Sequence, residues 1–422
     1  MKKYLLSLLI VLLVVTSLVG TAAEPQIVRV AAQSWQINKI FIDRAAENFM
    51  KDHPGVKVDV QMYAEPTVIS NYAINWMRGE TPIDIAVVSG AQFASQFVGR
   101  DLIYDFNELG FFNDPNFSRD RFVKVALDDG MINGKQYVIP LINEVYGVNI
   151  NMKMFREAGL VDSNGKPLAP KDWQEFYEFA KKLHKVENGK VVQQGATIQW
   201  GVNMYGVVLG TIQAARGSIY AEDGISISFD NPEFREILRI WRKGVEEGIF
   251  SKETFANYQA GRDSYNAGNL AMLVQSASQW LEAIPFLGRE NASLIPIPGS
   301  LKNGSFGFGS GVIIPKCSPA PKLAMQFIKE GMLGEYAQTQ TLNKWGKGAA
   351  LKEYYEGNDS TEWELISDIA AKSVAAPPYR DAGKLVNDIR PIIQRYLNGT
   401  TTLDRCIEEL ERMVAMIDKS IG

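Results

Sequence analysis

The sequence predicts an α/β protein folded as two lobes, and three observations lead there. The chain has 422 residues, 46% of them hydrophobic and 22% charged, an ordinary globular composition with ample apolar material for large cores. At about 150 residues per domain, that length asks for more than one hydrophobic core. From Gln26 onward, strand-like and helix-like runs alternate, the signature of a mainly parallel sheet covered by helices on both faces.

Taken in order, Gln26 to Ala32 carries Ile27, Val28 and Val30 as a strand, and Asn38 to Lys51 places Ile40, Phe41, Ala45 and Phe49 at helical spacing. Pro54-Gly55 stops that helix. Val56, Val58, Val60 and Met62 alternate with polar residues as a second strand, a helix follows over Ile69 to Met77, and Ile83 to Val88 reads as a short buried strand. Sheets of this kind bind ligands beyond the carboxyl ends of their strands. That directs attention to Gln33 to Gln36, Tyr63 to Glu65 and Ser89 to Gln92. Later helices announce themselves by their caps: Asp172 with Glu175, Asn231 followed by Pro232, and Thr402 ahead of the stripe Leu403, Ile407, Leu410, Val414 and Ile417. The Gly- and Ser-rich stretch Pro298 to Gly311 is the nearest thing to a linker and is expected to cross between lobes.

At the amino terminus, Lys2 and Lys3 precede the apolar run Leu5 to Val19, and small residues follow up to Ala23. This is the order of a secretory signal peptide, residues 1–23, with an uncleaved anchor as the alternative. Cleavage after Ala23 removes two lysines and takes the formal charge from −4 to −6. No cysteine lies near that point, so a soluble protein of the periplasm or cell envelope is expected rather than a lipoprotein.

Composition also excludes whole classes. Lys plus Arg is 44 against 48 for Asp plus Glu, leaving no basic excess for nucleic acid. Two histidines, His53 and His184, and two cysteines, Cys317 and Cys406, supply almost no material for a zinc site or a disulfide scaffold. The cysteines are expected as buried thiols, with a bridge left to geometry. No phosphate loop, dinucleotide turn or nucleophile elbow occurs, so no cofactor, no metal and no catalytic residue are assigned. Asp162-Ser163-Asn164-Gly165 opens like a calcium loop, but Lys166 and Trp173 occupy positions that need oxygen ligands. It reads as a turn.

Several segments together resemble a known family. The run Asn48 to Val58, then Pro82-Ile83-Asp84-Ile85 and Asp101 to Asp105, is similar to the opening of the maltose-binding-like extracellular solute-binding proteins, the receptors of bacterial ABC sugar importers. Asn133 to Pro140, Tyr146 to Asn149, Phe155 to Leu160 and Trp173 to Leu183 resemble that family's most recognisable stretch. Ala267 to Met272, Ile295 to Gly299, Ile314 to Lys316 and Ala324 to Ile328 continue it in the same order.

The resemblance implies a clamshell of two α/β lobes with three crossovers, the first lobe holding 27–141 and 306–343, the second 142–305 and 344–422. It implies a monomeric receptor, not an enzyme, that closes on its ligand and presents it to a membrane permease. Sugar rings lie on aromatic faces while their hydroxyls seek polar side chains, and leaving such buried groups unpaired is how a cleft rejects the wrong ligand. The expected ligand residues are therefore Trp35, Gln36, Tyr63, Glu65 and Gln92 after the first three strands, Asn143 and Glu144 after the first crossover, and Trp200 and Tyr205 in the second lobe. Gln279 and Trp280 stand about two positions from the family's usual Gly-x-Trp, and Trp345, Tyr379 and Arg380 complete the set. The absence of a strongly charged motif points to a neutral sugar, oligosaccharide or cyclic polyol. The alternatives are a non-sugar solute, or an exported carbohydrate-active hydrolase using two carboxylates.

Overall fold

A computed structural model describes residues 25–63, 68–200, 203–358, 360–380 and 382–419. The signal segment and Glu65 lie outside the described residues, as does the side chain of Gln92.

Two main sheets organise the chain. The first contains β1 (Gln26–Gln33), β2 (Val56–Tyr63), β3 (Ile85–Val88), β4 (Ile139–Pro140) and, much later, β11 (Gly311–Ile313). Their spatial order is β2-β1-β3-β11-β4, with the first three strands parallel and β11 antiparallel to both neighbours. The second sheet is built on β5 (Ile142–Asn151), every residue of which is buried. Around it stand β6 (Lys190–Ile198), β7 (Phe250–Ser251), β8 (Leu270–Ser276) and β9 (Ala292–Ile295), in the order β7-β6-β8-β5-β9. The early part of β5 also pairs with β10 (Gly307–Phe308) and β12 (Gly348–Ala349).

The chain therefore leaves the first sheet at Pro140 and enters the second at Ile142. The stretch expected as a linker returns it: a short helix over Ser300–Asn303, then β10 in the second sheet, then Gly309-Ser310, then β11 in the first. The two passages lie side by side, since the Leu141 and Ile142 amides both donate to the Ser310 carbonyl at 2.8 and 3.2 Å. Gly309 is required there, because a Cβ would stand 2.1 Å from the Ile142 carbonyl oxygen.

One helix expected from its periodicity is divided. Ser34–Lys39 and Ile42–Asp52 are separate helices, and Phe41 between them takes the left-handed conformation at φ 57°. The first begins early because Gln33 and Gln36 cap it reciprocally. Redirecting the chain at Phe41 lets Ile42, Ala45, Ala46 and Phe49 face the first core, while the Phe41 ring meets Tyr336 edge-on with centroids 6.2 Å apart.

The caps expected farther on are present. Asp172 accepts from the Glu175 amide at 2.8 Å, Asn231 from Phe234 at 2.8 Å, and Thr402 from Arg405 at 3.2 Å. Each starts a helix whose apolar stripe faces the second core, where Trp173 and Trp241 meet edge to face at 5.4 Å. Asp162 accepts from the Asn164 and Lys166 amides, which makes its segment a turn. Both cysteines are free thiols, but only Cys406 is buried; Cys317 is half-buried at the edge of the first lobe, a correction to the expectation of two buried thiols. No helix of the described residues is long and apolar enough to cross a membrane.

Candidate functional site

The carboxyl end of β1 opens into a cleft of about 670 Å³ lined by Gln33, Ser34, Trp35, Asn38, Lys39, Met62, Tyr63 and Trp345. Strand direction explains the location: β1 and β2 run parallel and in register, so Gln33 and Tyr63 end side by side. Trp35 is 37% exposed and held by its Nε1, which donates to Gln33 Oε1 at 3.0 Å. Tyr63 is buried and donates to the Val87 carbonyl at 2.6 Å. Trp345 ends the helix Glu335–Trp345, where Gly346 at φ 61° turns the chain toward β12. The Lys39 ammonium stands over the Trp345 ring, 4.7 Å from its centroid.

Behind this aromatic edge runs a chain of charges. Lys39 Nζ lies 2.7 Å from Glu282 Oε2, and Glu282 Oε1 lies 3.5 Å from Lys347 Nζ. Lys347 then reaches Glu144 Oε1 at 2.6 Å, an oxygen that also accepts from Ser278 at 2.9 Å and from Ser276. The pair Lys347–Glu144 is almost wholly enclosed, at 7% and 5% side-chain exposure. Enclosing such a pair is costly, and here the hydroxyls of Ser276 and Ser278 share Oε1 with the ammonium while Lys347 also donates to Ser278. Burial, with repulsion from Lys347, lowers the pKa of Lys39. Burial pushes Glu282 upward, but the ammoniums of Lys347 and Lys39 outweigh it and hold the carboxyl below its ordinary range. Arg262, on the short helix Ala260–Asn266, adds a third cation; with the Gln275 amide turned so that its oxygen faces the guanidinium, Nε and Nη2 donate to it at 2.7 and 2.8 Å.

The structure brings Trp35, Tyr63 and Trp345 together around the cleft, and Glu144 to its charged wall. Gln36 and Asn143 are buried close by, Gln36 donating to Ser310 and Asn143 sitting opposite Gly348 in the β5–β12 pair. Gln279 is buried and donates to Asn266 at 3.3 Å. The other expected residues are elsewhere. Trp200 is enclosed in the second core, edge-on to Phe255 at 4.4 Å, and Tyr205 is enclosed against Phe306 at 5.3 Å. Trp280 is buried against Trp363, with Arg289 over its ring at 4.8 Å. Tyr379 donates to the Ile225 carbonyl and accepts from the Ile227 amide, and Arg380 pairs on the surface with Asp418 at 3.5 Å.

Sequence reasoning missed Lys39, Glu282 and Lys347. Lys347 stands two positions after an expected tryptophan and Lys39 four after another, yet among 92 charged residues nothing local singles them out. Their pairing spans 243 and 203 positions.

Comparison with known proteins accords with this architecture. An ABC substrate-binding protein from Listeria monocytogenes, solved with cycloalternan, superposes with a TM-score of 0.75 at 20% identity, covering 92% of this chain and 98% of that one. A solute-binding protein from Thermotoga lettingae bound to α-D-tagatose gives 0.75 at 17% identity, over 93% and 100% of the two chains. The GacH receptor of Streptomyces glaucescens, studied with acarbose, gives 0.75 at 16% identity, over 93% and 99%. Proteins of Brucella abortus and Brucella suis align at 20% identity over 360 residues, 81% of this chain and 79% of theirs. Residues 44–368 match the family of bacterial extracellular solute-binding proteins, and the chain belongs to that family.

Proposed function

We propose that the chain is the exported receptor of an ABC importer, capturing a sugar, oligosaccharide or cyclic polyol between its lobes and handing it to the permease once the hinge has closed. The observation that carries this reading is the cleft itself, where Trp35 and Trp345 lie among the polar side chains of Gln33, Ser34, Asn38 and Lys39. Ring faces of indole suit the C–H faces of a sugar, and neighbouring polar groups suit its hydroxyls. The sugars named for the Listeria, Thermotoga and Streptomyces relatives support the ligand class.

In this reading 27–141 with 306–343 form one lobe and 142–305 with 344–422 the other, and the protein works as a soluble monomer without a lipid anchor. The antiparallel passages through Leu141 and Ser310, joined by backbone hydrogen bonds, form part of the hinge. Binding needs no covalent step, so the ligand leaves unchanged.

The test is titration calorimetry of the mature chain with cycloalternan, tagatose, acarbose and a wider panel of mono- and oligosaccharides, with chromatography of the recovered ligand. Saturable one-to-one binding of an unaltered sugar, accompanied by a smaller radius of gyration in solution scattering, is the expected result. Release of hydrolysis products at enzymic rates would replace the receptor with the hydrolase, and silence across the panel would replace the sugar with another solute.

A further inference from the structure

We infer that Glu282 governs closure of the cleft, its carboxylate shared between the two lobes by a division of its oxygens. Oε2 faces Lys39, which ends the helix Ser34–Lys39 at the carboxyl edge of the first sheet, at 2.7 Å. Oε1 faces Lys347, on the turn between Trp345 and β12, at 3.5 Å. Glu282 itself ends the helix Gln279–Glu282, which follows β8 directly and whose Trp280 packs in a core with Val145 and Leu294 of the second sheet and with Val125 and Leu342. The Lys39–Glu282 pair therefore joins the two halves of the molecule.

The two ammoniums are not equivalent. Lys347 is fastened by Glu144 and Ser278, so it stays with the second lobe. Lys39 has the Trp345 ring beneath it and is repelled by Lys347 and Arg262. When the lobes part, Lys39 departs into water and Glu282 keeps Lys347 as its counter-ion, so opening strands no buried charge. When they meet, Lys39 and Glu282 are 22% and 14% exposed, shielded enough for the pair to matter. Lys39 and Trp345 also line the cleft, so a ligand resting there touches one arm of the latch directly. Glu282 is thus a positioning residue, acting on the ligand through Lys39.

The inference rests on the hinge-closing receptor reading above, and its test separates the two. The full mature chain is compared with Lys39→Met, Glu282→Gln, the double variant and Lys347→Met, using scattering without sugar and then affinity for acarbose, tagatose and cycloalternan in turn, at about 20 mM and about 500 mM salt. Each single variant at Lys39 or Glu282 is expected to enlarge the radius of gyration and weaken affinity about tenfold, the double variant no further than either single. High salt is expected to weaken the parent and to leave those variants unmoved. Lys347→Met is expected to lower the melting temperature instead, by leaving Glu144 unpaired. Losses that multiply in the double variant, or parental affinity and salt response in Lys39→Met, overturn the latch. If Glu282→Gln does not fold by circular dichroism, Lys39→Met at the helix end decides alone. If none of the three sugars binds the parent, the sugar reading fails while scattering still judges the latch.

Discussion

Gln36 and Ser310 meet at 3.0 Å in a buried hydrogen bond that ties the helix Ser34–Lys39 to the strip of chain running between the two sheets. The same amide accepts from the Gln33 backbone at 2.9 Å through its oxygen, so both ends of the side chain are engaged within the protein. Gln36→Ala leaves the Ser310 hydroxyl and the Gln33 amide without these partners, and a loss of about 1–3 kcal/mol in folding stability is expected. Urea denaturation measures it; an unchanged midpoint would mean that water replaces the amide at no cost.

Trp35 offers the opposite case, an indole 37% exposed at the mouth of the cleft. Trp35→Ala is expected to weaken sugar binding by about 2 kcal/mol, roughly thirtyfold, while the melting temperature moves little. Calorimetry beside a thermal melt separates these effects, and a large drop in melting temperature with intact affinity would return Trp35 to a packing role.

Asp129 predicts a pH dependence. It is enclosed beside the crossing chain, where its carboxyl accepts from the Ala376 and Gly309 amides, and desolvation raises its pKa well above the ordinary carboxylate range despite those bonds. A folded pKa above the unfolded value of about 3.9 means that the native state holds the proton more tightly. The stability this contributes is complete below about pH 4 and is lost as pH rises through the folded pKa. Asp129→Asn is therefore expected to gain relative to the parent as pH climbs from about 4 toward 8. Parallel stability curves for the two proteins over that range would disprove the assignment.

The thiols differ in reach. Cys406 is buried and its pKa is pushed up to about 12 by desolvation, while Cys317 is half-buried with a smaller rise from the same cause. Under native conditions an aromatic disulfide reagent is expected to titrate Cys317 slowly and Cys406 only after denaturation. Rapid modification of both would show that the second core opens readily.

How much of this was legible beforehand follows from the range of the interactions. Caps at Asp172, Asn231 and Thr402 act within three residues, so their helices could be read directly. The break at Phe41 could not, because the apolar spacing runs through it and the reason for turning lies in a partner almost 300 positions away. Trp35 is singled out because it follows the first strand, and Trp345 by its place near the third crossover that the family resemblance implies; the structure sets both along the cleft. Trp200 and Trp280 look the same in a linear text, and only packing against Phe255 and Trp363 places them inside. The charged wall was invisible for a related reason: a carboxylate acquires meaning only when the fold delivers its counter-ion.

The strand Ile142–Asn151 has a temporal consequence. Its neighbours come from residues 270–276, 292–295, 307–308 and 348–349, so a growing or translocating polypeptide cannot complete this ladder until some two hundred further residues have arrived. Pairings so distant require large loop closures and form slowly. A nascent chain ending near residue 260 would hold that strand, buried throughout in the finished fold, with all four of these neighbours missing, adhesive and unfinished. Maturation is thereby deferred to the last stretch of the polypeptide, and a stalled or truncated product becomes a natural client for holding chaperones.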